Sequence, residues 1–533
     1  MADEITPEDA QRALRSDRQV AVIDVREPID YCRSHVPGST PVSRRELEAR
    51  LPAVVPDRHA GVILCDRRGE RAHLDADWLE RLGHEDVAYL AGGMEAWEAA
   101  GLDTVEAHEG VHATASHFRS KEFGERVQVE EDLEQIRPSE LADLREDGTE
   151  DVLLADVRTP EEYRESTIPG ALNVEGVDLG LYVDRLRDED QPVVVNCGGR
   201  TRSIIGTATL EKLGVENVYE LENGTMGWEL AGYDLERGAD RHVRAMEVDE
   251  EYRDAVRTET DALLDEQDVP TVTNDEFRAL LADDEEVVYP VDVRTREEYE
   301  AGHVPNAIHV PGGQAIQTTD EHFAVRNGTV VFVSNDRVRA AITAYWFAEM
   351  GFPNVAVLAA GLDGWRADGR PVETGRGRAP PKRDEIEVAV TYVSASALAD
   401  RVGPDGPSVV DVGPGEQFER GHVPGARWVP RYELEGWLDD TGVETDDPVV
   451  LACPDGEVST YAAAALDYEL GYENVCVLAG GTDAWGDADR PLETGTDGMA
   501  FERRDEIPKP YHQGDWAKRT YLEWEEKLGE KFE

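Results

Sequence analysis

Short apolar runs alternate with amphipathic stretches along the whole chain. Runs such as "DVLLAD" (151–156), "PVVVN" (192–196) and "NVYEL" (217–221) have the length and composition of buried β-strands. Between them lie stretches with helical patterning, for example "RSIIGTATLEKLG" (202–214), which ends at a glycine, a common helix stop. Strands that alternate with helices predict an α/β fold in which helices cover a parallel sheet.

This pattern occurs four times. Each copy has a strand that ends in an aspartate, within "VIDVREP", "LADVRTPEEY", "PVDVRTREEY" and "VVDVGPGEQF". Each copy closes with a glycine-rich turn and a tryptophan, namely Trp97, Trp228, Trp365 and Trp485. From aspartate to tryptophan the spacings are 73, 72, 73 and 74 residues. Such constancy indicates one structural unit used four times, with the tryptophans as core anchors.

The repeats predict four domains, at residues 1–109, 138–238, 269–375 and 386–496. Composition places linkers at 110–137 and 376–385, and an acidic helical linker at 239–268. Residues 497–533 form a C-terminal tail that contains Trp516, Tyr521 and Trp524. These aromatic residues predict that the tail docks against a domain.

The charge of the chain indicates the salt concentration around the protein and excludes two classes of partner. It has 114 acidic and 54 basic residues, a formal net charge of −60, and the acids are spread through patterned sequence. This distribution indicates a surface adapted to high salt, where charge repulsion is screened, rather than a disordered acidic tail. A polyanion repels phosphates, so nucleic acid and anionic membranes are excluded as partners.

Targeting and metal signals are not found in the sequence. The polar start "MADEITPEDA" is unlike a signal peptide, and no run of eighteen apolar residues occurs, so we expect a cytoplasmic protein. The five cysteines form no CxxC pair, and the 13 histidines show no metal-ligand spacing. We therefore expect no disulfide framework, no metal site and no cofactor.

The stretch "VVVNCGGRTRSII" (193–205) carries the strongest chemical signal. Cys197 lies between a strand and the following helix, the place where ligands bind in parallel sheets. Gly198 and Gly199 let the backbone curl so that N–H groups face the sulfur. Ser203 can open the helix, whose N-terminus favours a thiolate and a bound anion.

The four units together resemble the rhodanese family. The resemblance rests on the Asp-Val-Arg strand end, turns such as "GHVPGA", the cysteine loop and the Gly-Gly-x-x-x-Trp ending, and it covers all four units. It implies four tandem rhodanese-like domains, each a five-stranded parallel sheet flanked by helices, and thiosulfate sulfurtransferase activity. Two departures are Arg200, where glycine is common, and Thr167, where the other units have histidine.

The resemblance implies that Cys197 is the nucleophile of a six-residue loop that ends at Arg202. Arg202 and Arg200 are expected to bind the sulfonate of a small anionic donor by charge-assisted hydrogen bonds. The other expected substrate-binding residues are Gly198, Gly199, Thr201 and Ser203. A persulfide on Cys197 would then pass its outer sulfur to a thiol, to cyanide or to an acceptor protein.

The other units differ at this loop. Unit one has Cys65 and Arg71 in a seven-residue loop similar to that of cysteine phosphatases, so Cys65 is a candidate for sulfur or oxyanion chemistry. Unit three has Ser334, which cannot carry a persulfide, and is expected to be inactive. Unit four has Cys453 but no following arginine, and its acidic neighbours predict weak activity or none.

Asp156 and Arg158 have a structural interpretation: they are expected to form an ion pair that braces the loop.

A non-catalytic scaffold or persulfide carrier, and phosphatase chemistry at Cys65, are the alternatives to sulfur transfer at Cys197. Thiosulfate, 3-mercaptopyruvate and a protein persulfide are all possible donors.

Overall fold

The computed structural model of the chain describes residues 2–146, 152–188, 191–243, 250–283, 286–403 and 406–532. It contains two compact units. One comprises residues 1–106 and 379–507, and the other comprises residues 107–378 and 508–533. The first unit holds domains one and four, and the second holds domains two and three together with the C-terminal segment. Part of the expected linker 239–268 falls on residues 244–249, outside the described residues.

Each domain contains one five-stranded sheet in which every pair of neighbouring strands is parallel. The strand order in the first domain is β1-β5-β4-β2-β3, and the other three sheets repeat it. The strands are β1 Asp3–Ile5, β2 Val20–Asp24, β3 Thr40–Pro41, β4 Gly61–Cys65, β5 Val87–Leu90; β6 Gln135–Ile136, β7 Leu153–Asp156, β8 Leu172–Asn173, β9 Val193–Asn196, β10 Val218–Leu221; β11 Thr271–Val272, β12 Val288–Asp292, β13 Ile308–His309, β14 Thr329–Val333, β15 Val355–Leu358; β16 Thr391–Val393, β17 Ser408–Asp411, β18 Arg427–Trp428, β19 Val449–Ala452 and β20 Val475–Leu478. The predicted fold class is confirmed.

Helices flank each sheet, as the alternating pattern predicts. In the first domain they are α1 Pro7–Leu14, α2 Pro28–Arg33, α3 Leu47–Val54, α4 Glu70–Leu82 and α5 Gly93–Ala99. After α6 Phe118–Glu130, the second domain has α7 Pro138–Glu146, α8 Pro160–Glu165, α9 Val183–Asp188, α10 Thr201–Lys212 and α11 Gly224–Leu230. After α12 Glu250–Glu266, the third has α13 Asn274–Leu280, α14 Arg296–Ala301, α15 Gly312–Gln317, α16 Thr319–His322, α17 Val338–Glu349 and α18 Gly361–Ala367. After α19 Arg383–Ala389, the fourth has α20 Ala395–Ala399, α21 Gly415–Arg420, α22 Leu434–Thr441, α23 Glu457–Leu470 and α24 Gly481–Asp487, and α25 Asp515–Gly529 follows.

Local sequence explains where several helices start. Thr159 caps α8 with a capping box: its side chain accepts from the Glu162 N–H, and the Glu162 carboxylate accepts from the Thr159 N–H. Thr295 and Glu298 repeat the arrangement at α14. These caps fix the two glutamates beside the loops that follow β9 and β14, which matters for the arginines described below.

Two segments outside the repeats pack against the second domain. Helix α6 lies in the stretch expected to be a linker, and Gly124 in that helix lies against Thr201 at the start of α10. Helix α25 lies in the C-terminal tail, where Tyr521 and Leu522 are buried and Phe118 of α6 contacts Trp524. The tail thus packs through Tyr521 and Trp524, whereas Trp516 is exposed.

Candidate sulfur-transfer site

Sheet register identifies the equivalent of Cys197 in each domain. In each domain the residue that follows the fourth strand (β4, β9, β14 or β19) accepts at its carbonyl an N–H from the helix of the glycine-tryptophan motif. The donor–acceptor pairs are Met94 to Asp66, Thr225 to Cys197, Leu362 to Ser334 and Thr482 to Cys453. The nucleophile position is therefore occupied by Asp66, Cys197, Ser334 and Cys453 in turn.

The expectation of a seven-residue loop at Cys65 is wrong. Cys65 is the last residue of β4 and pairs with Asp24, as Asn196 pairs with Asp156 in domain two. The extra residue thus belongs to the strand, and Asp66 lies five residues before Arg71, the spacing of Cys197 and Arg202. Cys65 is fully buried, its Sγ contacts the carbonyl oxygen of Asp66 at 3.6 Å, and burial raises its thiol pKa strongly.

The Asp66 carboxylate fills the loop of domain one. Its Oδ1 accepts from the backbone N–H of Arg68 at 2.9 Å and from that of Gly69. Its Oδ2 accepts from the N–H of Arg71 at 2.7 Å and of Ala72 at 3.1 Å. Four backbone donors therefore surround one anionic group, which is the arrangement that a bound anion requires.

The same inward direction of N–H groups is found in two further domains. In domain three the N–H of Ala340, six residues after Ser334, donates to the Ser334 Oγ at 3.3 Å. In domain four the N–H of Ser459, six residues after Cys453, donates to the Cys453 Sγ at 3.4 Å. The loop therefore aims donors at the side chain of the nucleophile position, and in domain two that side chain is a thiol.

A motif glycine holds each loop in shape. Gly224 has a φ of +52°, and a Cβ on it would lie 2.3 Å from the carbonyl oxygen of Cys197. Gly93, Gly361 and Gly481 have the same conformation and equally close approaches to their loops. Glycine at this position of each turn, which follows Gly92, Asn223, Ala360 or Gly480, is thus required by this contact with the loop.

Cys197 is 3% exposed and lies beside Ser203. Its Sγ is 3.4 Å from the Ser203 Oγ. Burial raises the pKa of the thiol, while the Arg202 charge and hydrogen bonds from Ser203 act in the opposite direction. In the absence of a bound anion burial has the larger effect, so the thiol form predominates where the sequence alone pointed to a favoured thiolate.

Arg202 is buried and held by two partners. Its Nη1 and Nη2 donate to the Glu162 carboxylate at 2.6 and 2.9 Å, and Nη1 also donates to the Gln314 Oε1 of domain three at 3.1 Å. Its Nε is buried and has no hydrogen-bond partner among the described residues. The guanidinium is therefore fixed in place, and its Nε–H is still available.

Arg200 has partners that the sequence did not indicate. Its side chain is almost fully buried and donates from Nε and Nη2 to the Glu125 carboxylate of α6, at 2.6 and 2.8 Å. Glu526 of α25 lies 3.8 Å from its Nη1. Contact between Arg200 and a donor molecule would require this ion pair to open.

The C-terminal helix covers the cysteine loop from outside the domain. The Thr201 hydroxyl donates to the Glu525 Oε1 at 2.9 Å. A Cβ on Gly199 would lie 3.3 Å from the Glu525 Oε2 and 3.5 Å from the Tyr521 ring. Residues more than 300 positions away in the chain therefore form part of the wall around Cys197, and no local sequence signal connects them to it. Gly198 accepts at its carbonyl from the Met226 N–H.

The expected Asp156–Arg158 ion pair is present. The Arg158 guanidinium donates to both carboxylate oxygens of Asp156 and to the Ser166 carbonyl, and both side chains are buried. Thr167, which replaces a histidine, donates to the Asp156 Oδ2 at 2.7 Å. The pair fixes the strand end that precedes the loop.

The loops of domains three and four keep only parts of this arrangement. In domain three Arg339 donates to Glu298 at 2.7 and 2.8 Å, so the arginine–glutamate pair is retained while Ser334 lacks the sulfur. In domain four Val458 occupies the arginine position, and burial raises the pKa of Cys453 to about 11. The nearby Asp455 carboxylate, 3.7 Å from the Sγ, opposes a thiolate further.

Among the described residues no cluster of three or more His, Cys, Asp or Glu side chains could hold a metal ion. In the same part of the chain no helix is long and apolar enough to cross a membrane. None of the five cysteines, which all lie within the described residues, forms a disulfide.

The parallel sheets and the loop at Cys197 define a class of protein. A family model described as rhodanese-like domain matches residues 6–100, 137–231, 273–368 and 394–488. The chain therefore belongs to the rhodanese-like family, as four tandem domains.

Several known sulfurtransferases are similar to this chain. A crystal structure of a thiosulfate sulfurtransferase from Pseudomonas aeruginosa superposes with a TM-score of 0.88 at 34% identity, over 99% of this chain and 97% of that one. The 3-mercaptopyruvate sulfurtransferase of Escherichia coli K12 is 27% identical over 250 residues, 38% of this chain and 87% of that protein. The thiosulfate sulfurtransferase GlpE of Actinobacillus succinogenes is 36% identical over 104 residues, 19% of this chain and 89% of that protein. These similarities support sulfur transfer as the general class of activity, with sulfur donors and acceptors as substrates.

Proposed function

We propose that this protein transfers sulfane sulfur from thiosulfate, or a related small anionic donor, through a persulfide on Cys197. One observation carries the proposal: of the four nucleophile positions, only 197 combines a sulfur with an arginine five residues later. In domain one the same loop geometry holds a carboxylate on four N–H groups, which supports an anion-binding role for the loop that surrounds Cys197.

The geometry supports a two-step reaction. The thiolate of Cys197 attacks the outer sulfur of thiosulfate, the S–S bond of the donor breaks, and sulfite leaves with the bonding electron pair. Cyanide or a thiol then takes the outer sulfur from the persulfide, and the Cys197 thiolate is regenerated. The free Nε–H of Arg202 supports a contact with a sulfonate oxygen, because a charged donor forms strong hydrogen bonds to oxyanions.

Mass spectrometry of the protein treated with thiosulfate tests the proposal. We expect one added sulfur atom on the peptide that contains Cys197, and thiocyanate on addition of cyanide. Cys197→Ser should abolish both, because serine is a poor nucleophile and cannot hold sulfane sulfur. Cys453→Ser and Cys65→Ser serve as matched controls and should keep full turnover. A sulfur adduct on Cys453 or Cys65, or turnover retained by Cys197→Ser, would refute the assignment.

The net charge supports a second, coarser proposal about conditions. A chain with a formal charge of −60 is strongly self-repelling at low ionic strength, and molar salt screens that repulsion. We therefore propose that the protein works in a salt-rich medium, which the stability measurement in the Discussion tests.

A further inference from the structure

A buried carboxyl group lies behind Cys197. The Ser203 hydroxyl is 3.4 Å from the Cys197 Sγ and has two acceptors in reach, the Glu220 Oε1 at 2.7 Å and the Arg200 carbonyl oxygen at 2.8 Å. On its far side the Glu220 Oε2 accepts from the Gln135 Nε2 at 2.8 Å. Cys197, Ser203 and Glu220 therefore form a continuous hydrogen-bonded chain from the sulfur to a carboxyl, and Ser203 and Glu220 are fully buried.

This chain occurs only in the domain with the proposed nucleophile. Strand pairing aligns Glu220 with Tyr89, Val357 and Val477 in the other sheets. The residues six positions after the nucleophile position are Ala72, Ser203, Ala340 and Ser459. Domain four thus has the serine without the carboxyl, and domains one and three have neither, so hydroxyl and carboxyl occur together beside Cys197 alone.

A glutamate at this position is unfavourable for the fold itself. Glu220 lies inside a parallel sheet, at a position where two of the other domains have valine, and burying an ionisable group disfavours its charged form. Burial accordingly raises the pKa of Glu220 to about 8, although Arg200 acts against the increase. A carboxylate with such a pKa is a stronger base than an ordinary carboxylate, so moving the thiol proton to Glu220 costs less than moving it to an ordinary carboxylate.

We propose that Glu220 takes the proton of Cys197, through Ser203, as the sulfur attacks its donor. The inference rests on the proposed function and deepens it. The S–H bond breaks and its proton joins the Ser203 oxygen, while the Ser203 hydroxyl proton passes to a carboxylate oxygen of Glu220. Ser203 ends unchanged, Glu220 ends neutral, and the electron pair of the S–H bond forms the new bond from Sγ to the outer sulfur. Glu220 acts through Ser203 and is a positioning residue for the proton.

The relay suits a site that is closed to solvent. Cys197 is 3% exposed and burial favours its thiol form, so a dianionic donor meets a neutral thiol rather than a preformed thiolate. The charged and titratable groups that face the relay are Arg200 from the loop, Glu125 from α6, Arg202 beside the sulfur, and Tyr521 and Glu525 from α25. Burial raises the pKa of Glu125 to about 7, so a test of the relay must separate its ionisation from that of Glu220.

The experiment measures kcat/KM for thiosulfate, with cyanide as acceptor, from pH 6 to pH 10 in the full-length protein. Glu220→Gln keeps the shape of the side chain but cannot take a proton, and we expect a loss of about 100-fold below pH 8. The loss should shrink as the pH approaches the pKa of the thiol, because hydroxide then removes the proton directly. Ser203→Ala cuts the relay without changing any charge near Glu125, and should show the same pH-dependent loss.

Ser459→Ala is the matched control, because its hydroxyl lies 3.3 Å from the Cys453 Sγ but Val477 stands in the place of Glu220. Its profile should coincide with that of the wild type. Equal profiles for Glu220→Gln and the wild type, or a loss of the same size at every pH, would overturn the relay. If Glu220→Gln does not fold, Ser203→Ala decides alone by the same criteria. A wild-type protein that gains no sulfur on Cys197 overturns the proposed function as well as the relay, whereas unchanged variants of an active wild type overturn the relay only.

Discussion

Replacing Arg202 separates its binding role from its structural role, because domain three contains a matched arginine. In the wild type Arg202 pairs with Glu162, and Arg339 pairs with Glu298 in the same geometry. Both glutamates are also the capping-box residues of the equivalent helices α8 and α14. Arg202→Met and Arg339→Met therefore break the same kind of ion pair, one beside Cys197 and the other beside Ser334.

The unfolding free energy that Arg202→Met loses can be estimated from the pKa of Glu162. Burial alone would raise the pKa of Glu162, but the Arg202 charge outweighs it and lowers that pKa from 4.5 to about 2. The difference corresponds to about 3 kcal/mol of stability, present above pH 4.5 and lost as the pH falls toward 2. The pKa of Glu298 is likewise lowered to about 2, and Arg339 also pairs with the buried Asp178 at 3.2 Å. Arg202→Met should therefore lose about 3 kcal/mol of unfolding free energy at neutral pH, and Arg339→Met at least as much.

The binding loss should appear in Arg202→Met alone. Losing one charge-assisted hydrogen bond to a sulfonate costs about 1.5–3 kcal/mol, or roughly 10- to 150-fold in kcat/KM for thiosulfate. Arg339→Met should keep kcat/KM close to that of the wild type, because no sulfur chemistry takes place at Ser334. The measurements are denaturant unfolding and steady-state thiocyanate formation, both well below the melting temperature.

Two results would refute the reasoning. Equal loss of kcat/KM in both variants would mean that the effect comes from lost stability rather than from a lost donor contact. Unchanged kinetics in Arg202→Met, with the expected loss of stability, would remove Arg202 from donor binding. The double variant Arg202→Met/Glu162→Gln, which leaves no unpaired charge, should regain part of the stability and none of the kcat/KM.

Three further predictions concern other parts of the molecule. Asp66→Ala should destabilise the protein by at least about 2 kcal/mol, because four N–H groups lose their acceptor, and sulfate should restore part of that loss in denaturant titrations; no change in stability would contradict the role of this carboxylate. Tyr521→Ala should speed alkylation of Cys197 by iodoacetamide relative to Cys453, the internal reference, and a Cys197-to-Cys453 rate ratio equal to that of the wild type would show that α25 does not shield the loop. The melting temperature should fall from molar potassium chloride to about 0.1 M, and a constant value would contradict the proposed salt-rich medium.

Much of the fold can be predicted from local sequence patterns. The four aspartate-to-tryptophan spacings, the apolar strands and the helix stops are short-range features, and each domain repeats them, so the parallel sheets follow directly. The loop at Cys197 was equally accessible, since glycines, arginines and a serine around one cysteine are neighbours in sequence. The glycine that contacts the Cys197 carbonyl was visible as a motif, although its contact was not.

What the sequence could not supply are contacts between distant segments. The partner of Arg200 is Glu125, in a segment whose composition indicated a linker. Glu525 and Tyr521 reach the loop from the end of the chain, and Gln314 reaches Arg202 from another domain. The error at Cys65 has a different cause, because counting back from the helix cannot decide whether an extra residue belongs to the strand or to the loop. Only pairing with Asp24 places Cys65 in the strand.

The four loops differ in the acceptor that each offers to its backbone N–H groups. A loop that aims N–H groups at one point leaves them unsatisfied unless something there accepts hydrogen bonds, and unpaired buried donors are costly. Domain one meets this demand with the Asp66 carboxylate, domain three with the Ser334 hydroxyl and domain four with the Cys453 sulfur. The Asp66 carboxylate is the strongest acceptor of these groups, and it occupies the position where an anion would bind. The loop of domain one is therefore satisfied by its own side chain and has no free anion site. In domains two and four the group at this position is a thiol, a weaker hydrogen-bond acceptor than a carboxylate or a hydroxyl. Of these two loops, the one around Cys197 has an arginine five residues after the cysteine, whereas the one around Cys453 has the Asp455 carboxylate 3.7 Å from the Sγ. An anionic sulfur, which is a better acceptor for the N–H groups, is therefore favoured at Cys197 and opposed at Cys453.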